Sequence, residues 1–155
     1  MTNNDMLRQL RYIFDFSDAK MIALFALAEY TTTREEVSAW LKKEDDPDFK
    51  SLHDKYFAIF LNGFINDRRG KREGPQPKTE KTLTNNIIFR KLKIALNLTD
   101  TDILEIYDLV GMSISKHELS AFFRKPTQSQ YRLCKDQFLR NFLHGLQLRH
   151  RKSED

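Results

Sequence analysis

Apolar residues recur at helical spacing along most of the chain. Residues 7–14 and 89–96 carry leucine and phenylalanine three or four positions apart, the spacing that places side chains on one face of an α-helix. Two longer and more apolar stretches, residues 56–64 and 138–146, show the same period. No stretch shows the alternation of a half-buried strand, so the pattern predicts an all-α protein.

The same pattern occurs twice. Sliding the chain on itself by 82 positions aligns residues 2–71 with 84–153 without a gap, and about 16 of the 70 aligned positions are identical. A match of this length is a strong signal of internal duplication. We therefore expect a tandem duplication of a four-helix unit, with the two copies packed as a pseudo-two-fold helical bundle.

Capping residues and glycines locate the helices of each copy. Thr33 with Glu36, and Ser115 with Glu118, have the spacing of a capping box at the start of the third helix. In the second copy, Gly111 and Pro126 are predicted to end the second and third helices. Gly63 and Gly145 lie within the apolar fourth helix, where a glycine is unfavourable unless another helix crosses closely.

The chain between the copies has the composition of a linker. Residues 70–83 (GKREGPQPKTEKTL) combine glycine, proline and charge without an apolar period. The predicted organisation is a first helical repeat at residues 1–69, this linker, and a second helical repeat at residues 84–155.

Composition places the protein among globular chains. Of its 155 residues 40% are hydrophobic and 31% are charged, which is typical of neither a membrane protein nor a disordered one. The longest apolar run, Met21 to Ala28, is far shorter than a membrane span, and the N-terminus has no export signal. Cys134 is the only cysteine, which suits a reducing compartment, so the expected location is cytoplasmic.

No arrangement of side chains predicts catalysis, a cofactor or a metal ion. Glu36 and Glu118 are explained by capping, and Cys134 aligns with Leu52, which indicates a core position. The acidic stretch from Glu44 to Asp48 lacks the calcium-loop pattern, and the four histidines are scattered. The sequence therefore favours a non-enzymatic protein and predicts no catalytic, cofactor or metal site.

Charge is the one polar feature that suggests a function. Residues 1–77 carry 12 Lys or Arg against 13 Asp or Glu, whereas residues 78–155 carry 14 against 9, so the net charge of +4 belongs to the second half. Seven positions are basic in both copies, which indicates either solvated surface or an anion-binding surface. The acidic stretch opposes phosphate binding in the first copy.

The predicted second and third helices have the outline of a helix-turn-helix, although their connection is longer than that motif allows. The third helix of the second copy is predicted to carry a polar stripe at His117, Ser120 and Arg124. The candidate contacts with nucleic acid are Lys116, His117, Ser120, Arg124 and Lys125. Nucleic acid and a protein partner are both compatible with the sequence. An enzyme with a site between the copies is a third alternative, and no membrane partner is expected.

Six stretches covering nearly the whole chain carry a further signal: LRYIFDFSDAKM, VSAWLKKEDDPDF, FLNGFINDRRGK, NNIIFRKLKIALNLTDTDILEI, SKHELSAFFRKP and YRLCKDQFLRNFLHGLQL. They resemble the bacterial YehS-like family, a group of domains of unknown function. The resemblance implies a small, duplicated bacterial cytoplasmic protein from a family without an agreed activity or established catalytic residues. It supports the architecture and leaves the function open.

Overall fold

A computed structural model describes residues 1–151, and within that range the chain forms eight α-helices and no strand. The helices are α1 (Asn3–Phe14), α2 (Asp18–Leu27), α3 (Arg34–Leu41), α4 (Asp54–Arg69), α5 (Asn85–Ala95), α6 (Asp100–Asp108), α7 (Lys116–Phe122) and α8 (Asp136–Arg151). The chain divides into two compact units between Leu83 and Thr84, with four helices in each. The predicted all-α duplication is confirmed. None of the described helices is long and apolar enough to cross a membrane.

Short-range hydrogen bonds explain where the helices begin. Thr2, Ser17, Thr84 and Thr99 cap helices of the two repeats, because each side chain accepts a hydrogen bond from a backbone N–H in the first turn. Ser115 caps α7 in the same way and forms the predicted capping box with Glu118.

The predicted capping box of the first repeat is only half formed. Thr33 accepts a hydrogen bond from the backbone N–H of Glu36 at 3.1 Å. The Glu36 carboxylate does not return to the Thr33 backbone and instead accepts hydrogen bonds from the Tyr30 and Thr32 hydroxyls, both at 2.7 Å. The aligned positions in the second repeat are Met112 and Ile114, which have no hydroxyl. The Glu118 carboxylate therefore has no competing donor there and completes the capping box with Ser115.

Two helix ends differ from the sequence prediction. Helix α6 ends at Asp108, three residues before Gly111, and α7 ends at Phe122, four residues before Pro126. Gly111 does adopt a left-handed conformation, with φ of 70°. Both residues therefore lie in the loops that follow the helices.

The cores consist of aromatic and aliphatic side chains at matched positions. Trp40 and Phe122 align and are both buried, as are Leu52 and Cys134. In the first repeat Phe25 lies 5.4 Å from Trp40, measured between ring centroids. The tight aromatic packing explains how short helices such as α3 and α7 are held, since isolated helices of this length are unstable in water.

The two glycines of the fourth helices lie at close helix crossings. A Cβ atom at Gly63 would lie 1.8 Å from the carbonyl oxygen of Leu24 in α2, and one at Gly145 would lie 2.4 Å from that of Ile106 in α6. Neither distance is possible without moving the backbone. The close crossing predicted from the sequence is thus present in both repeats.

A buried asparagine joins α1 to the third helix and to the loop after it. Asn4 donates through Nδ2 to the carbonyl oxygens of Trp40 and Lys50, both at 2.9 Å, and accepts at Oδ1 from the backbone N–H of Leu52 at 3.0 Å. Asn86 of the second repeat makes the same three bonds to Phe122, Arg132 and Cys134. The amide nitrogen and oxygen of this side chain are both bonded to backbone groups of the third helix and of the segment that follows it, so its role is structural.

Candidate functional site

The loop after the third helix is held by an equivalent set of backbone hydrogen bonds in both repeats. In the first repeat, residues 43, 46 and 49 are joined by successive backbone hydrogen bonds of 3.0 Å, and Lys50 N–H donates to the Ala39 carbonyl oxygen at 3.1 Å. In the second repeat, residues 125, 128 and 131 make the equivalent bonds, and Arg132 donates to Ala121 at 3.1 Å. We refer to residues 42–50 as the first loop and to residues 124–132 as the second loop.

The two loops carry opposite charge on this shared backbone. Glu44, Asp45, Asp46 and Asp48 of the first loop align with Pro126, Thr127, Gln128 and Gln130 of the second. Three basic positions are present in both loops. The second loop is therefore a cationic surface, whereas the carboxylates of the first loop outnumber its cations.

The predicted site residues fall on two adjoining elements. Lys116, His117 and Ser120 belong to α7, where Lys116 and His117 are exposed and Ser120 is half-buried, with its hydroxyl donating to the His117 carbonyl oxygen at 2.9 Å. Arg124 and Lys125 come after the end of α7, in the second loop. The predicted helical stripe thus ends at Ser120, and the two later cations are placed by the loop.

Most of these cations lack a carboxylate partner. Among the described residues, the side chains of Lys116 and Lys125 make no hydrogen bond or ion pair. Arg124 likewise has no ion pair within this range, and its Nε is buried without a hydrogen-bond partner. The exposed Lys116 and Lys125 side chains are available to an anion, and the half-buried Arg124 has no acidic partner among the described residues.

Arg132, the remaining basic residue of the second loop, has structural partners. Its guanidinium lies 5.4 Å from the centre of the Phe138 ring and 5.8 Å from that of Phe122, and it pairs with Glu118 at 3.4 Å. Hydrogen bonds from the Ser115 backbone and hydroxyl, with a smaller contribution from Arg132, hold the pKa of the Glu118 carboxyl below its usual value. Glu118 is thus a capping carboxylate, and Arg132 packs on the aromatic core.

The arrangement of α6 and α7 differs from a DNA-binding helix-turn-helix. Residues 109–115 separate the two helices, and α7 contains 7 residues, only about two turns. The motif requires a turn of about 3 to 4 residues and a recognition helix that enters the major groove. The cationic surface is therefore carried by a loop and a short helix.

The buried titratable groups lack the features of a reactive site. Burial raises the pKa of the Cys134 thiol to about 12, which leaves it protonated near neutral pH. Burial also raises the pKa of Tyr107, whose hydroxyl donates to the Phe138 carbonyl oxygen at 2.8 Å. Among the described residues, no group of three or more His, Cys, Asp or Glu side chains is placed to hold a metal ion.

Comparison with known proteins gives the family. The family model described as "Protein of unknown function (DUF1456)" matches residues 3–70 and again residues 85–152. The chain belongs to this family. It is also 39% identical over 150 residues to "Uncharacterized protein YehS" of Escherichia coli (strain K12), a match that covers 96% of each chain. No solved structure matches the chain.

The DUF1456 match covers both repeats, which confirms the YehS-like resemblance noted in the sequence.

Arg90 is one of the seven positions that are basic in both repeats, but it is not among the predicted site residues. Arg8 of the first repeat donates to the Lys42 carbonyl oxygen at 2.8 Å, but the aligned Arg90 is exposed and makes no such bond within the described residues. Its basic character in both repeats was the available signal.

Proposed function

We propose that this member of the DUF1456 family is a non-enzymatic binding module that contacts the phosphates of nucleic acid through its second repeat. The observation that carries the proposal is the change of charge on a constant backbone. The second loop keeps the three backbone hydrogen bonds described above but has none of the four aligned carboxylates of the first loop. Unpaired cations on an exposed surface are the usual basis of phosphate contacts.

The proposed contacts are Lys116, Arg124 and Lys125, with His117 and Ser120 beside them on α7. Lys116 and Lys125 are exposed and have no ion pair in the part of the chain that the structure describes, so binding phosphate breaks no existing interaction. The loop also presents neutral hydrogen-bonding side chains between its cations, which suit contacts to sugar or base edges.

The test is the salt dependence of binding. We expect the full chain to bind a fluorescein-labelled DNA or RNA oligonucleotide in a fluorescence anisotropy titration, with an affinity that falls steeply as salt increases. The triple variant Lys116→Ala, Arg124→Ala, Lys125→Ala should reduce the slope of log affinity against log salt by roughly 2 to 3, since each lost phosphate contact contributes about 0.7 to 0.9.

The matched control is the aligned triple variant of the first repeat, Arg34→Ala, Lys42→Ala, Lys43→Ala. It removes the same number of positive charges, yet it should change the slope much less because the neighbouring carboxylates repel phosphate. Equal effects of the two variants, or a wild-type Kd weaker than about 10⁻⁴ M at low salt, would contradict the proposal.

A further inference from the structure

The segment that joins the first loop to α4 resembles the edge of a β-sheet in its hydrogen bonding. The N–H and C=O groups of Lys50 and Leu52 are all used within the repeat, by Ala39, Asn4 and Asn3. Between them, the N–H and C=O of Ser51 make no hydrogen bond in the described part of the chain, and Ser51 is exposed. Alternate residues that bond to one side leave the other side open, as in an edge strand.

The open side extends beyond Ser51. The C=O of Phe49 and the N–H of His53 also make no hydrogen bond within residues 1–151, and His53 has extended backbone angles, with φ of −71° and ψ of 155°. The segment therefore offers C=O, N–H, C=O and N–H in that order. An extended peptide needs this sequence of acceptors and donors in order to pair with a strand edge.

A depression lies along the same segment. It has a volume of about 620 Å³ and is lined by Asn3, Glu44, Phe49, Ser51, His53 and Asp54 together with neighbouring residues, including Lys81. Its volume falls in the range of ligand sites, and the half-buried Phe49 supplies apolar surface within it. A donor-acceptor edge and a cavity of sufficient size thus coincide in the first repeat.

Charge indicates which peptide this site would take. Residues 44–54 contain five acidic side chains, Glu44, Asp45, Asp46, Asp48 and Asp54, and one lysine, Lys50. Of these carboxylates, Glu44 and Asp54 line the depression itself, together with Lys81 and Met1. Asp45, Asp46 and Asp48 lie in the chain between Glu44 and Phe49, and both of these residues line the depression. The aligned residues 126–136 of the second repeat contain one acidic side chain and two basic ones, so the acidic character is particular to the first repeat.

We propose that the edge formed by residues 49–53 of the first repeat binds an extended, lysine- or arginine-bearing peptide segment of a partner protein, through main-chain hydrogen bonds to Ser51. The backbone edge would provide affinity for extended peptide in general, and the surrounding carboxylates would select basic side chains. This inference concerns a different repeat and a different ligand from the nucleic-acid proposal and does not depend on it.

The test uses the full chain and three labelled pentapeptides with blocked ends. One alternates lysine with valine, the second alternates glutamate with valine, and the third is the lysine peptide with its alternate backbone nitrogens methylated. We expect saturable binding of the lysine peptide with a Kd below about 1 mM, and binding of the other two at least about tenfold weaker. Equal binding of the methylated peptide, or a lysine-peptide Kd above about 1 mM, would overturn the proposal.

Variants then locate the site. Ser51→Pro removes the N–H and should weaken binding of the lysine peptide about tenfold, whereas Ser51→Ala keeps the N–H and should leave it unchanged. Leu133→Pro makes the same backbone change at the aligned position of the second repeat and should also leave it unchanged. Circular dichroism checks that each variant is folded; should a proline variant unfold, the methylated peptide still decides the main-chain contribution.

Charge reversal tests the selection of basic side chains. Asp45 and Asp48 are exposed, and their carboxylates make no hydrogen bond or ion pair within residues 1–151, so Asp45→Lys with Asp48→Lys should turn the preference toward the glutamate peptide. An unchanged preference would refute the charge argument.

Analytical ultracentrifugation of the wild type tests whether the edge binds a second copy of the chain instead. Self-association that is lost in Ser51→Pro would assign the edge to a second copy and overturn the assignment to a partner protein.

Discussion

The first and second loops show how one backbone can carry two different surfaces. Both are held by the same backbone bonds and by the same buried asparagine, Asn4 in one repeat and Asn86 in the other. Their exposed positions have diverged from acidic to neutral, so that only the second loop is cationic. The polar contacts that define the fold are buried and directional, whereas exposed charge can change at little cost in stability.

The largest expected effect concerns the glycines on which both repeats depend. Gly63→Leu should lower the free energy of unfolding by about 3 kcal/mol or more, and Gly145→Leu by about 2 kcal/mol, because overpacking forces the backbones apart. The first should cost more, since its Cβ would lie 1.8 Å from a carbonyl oxygen and the second 2.4 Å. Urea unfolding measures both.

A matched control is Ala23→Leu, an addition of similar size on the exposed face of α2, which should change the stability by less than about 0.5 kcal/mol. If Gly63→Leu and the control unfold at the same urea concentration, the result would contradict a close crossing of α2 and α4 at Gly63.

The second prediction tests whether the two asparagines are equivalent. Asn4→Ala and Asn86→Ala should each lower the free energy of unfolding by about 2 to 3 kcal/mol, because each leaves two carbonyl oxygens and one N–H without their partner. Thermal or urea unfolding measures the loss. Asn3→Ala is the control, since it removes only two part-buried hydrogen bonds and should cost less.

The third prediction exchanges the surfaces. Replacing residues 44–48 (EDDPD) with PTQSQ should leave the first repeat folded and give it salt-dependent affinity for nucleic acid. The reverse exchange at residues 126–130 should weaken binding by the second repeat about tenfold at low salt, since four carboxylates are added beside its cations. Anisotropy titrations measure both. Exchanges that fold normally but leave affinity unchanged would show that loop charge does not control binding.

The smallest expected effect separates Glu36 from Glu118. Hydrogen bonds from Ser115 lower the pKa of Glu118 from its ordinary value of 4.5, so its contribution to stability is complete above that pH and is lost as pH falls through the lowered value. Ser115→Ala should therefore reduce the loss of stability between pH 7 and pH 3. Urea midpoints at the two pH values measure it, and Thr33→Ala is the control in the first repeat.

The candidate site was only partly predictable. The sequence identified Lys116, Arg124 and Lys125 as basic positions, but helical periodicity placed Arg124 on a stripe with His117 and Ser120, whereas α7 ends at Phe122. The reason is that a seven-residue helix is held by tertiary packing more than by its own propensity, so its end is not encoded locally. The nucleic-acid role of these residues remains a proposal.

The Glu36 carboxylate illustrates the same limit within the fold. Its spacing from Thr33 satisfies the capping-box pattern, yet hydroxyls of Tyr30 and Thr32 lie within hydrogen-bond distance and compete for it. Patterns of residue type predict which local bond is available. They do not show which of several nearby donors the folded chain brings closest.

What the sequence alone determined is the duplicated all-helical architecture, because helical period, N-caps and repeated spacing act between residues only a few positions apart. The contacts of Asn4 and Asn86 could not be predicted in this way, because these side chains bind groups 36 to 48 positions away. The same holds for the open edge at Ser51 that the contacts of Asn4 leave. Such contacts depend on where the packed helices bring distant backbone together. The composition of the loops therefore does not predict these contacts.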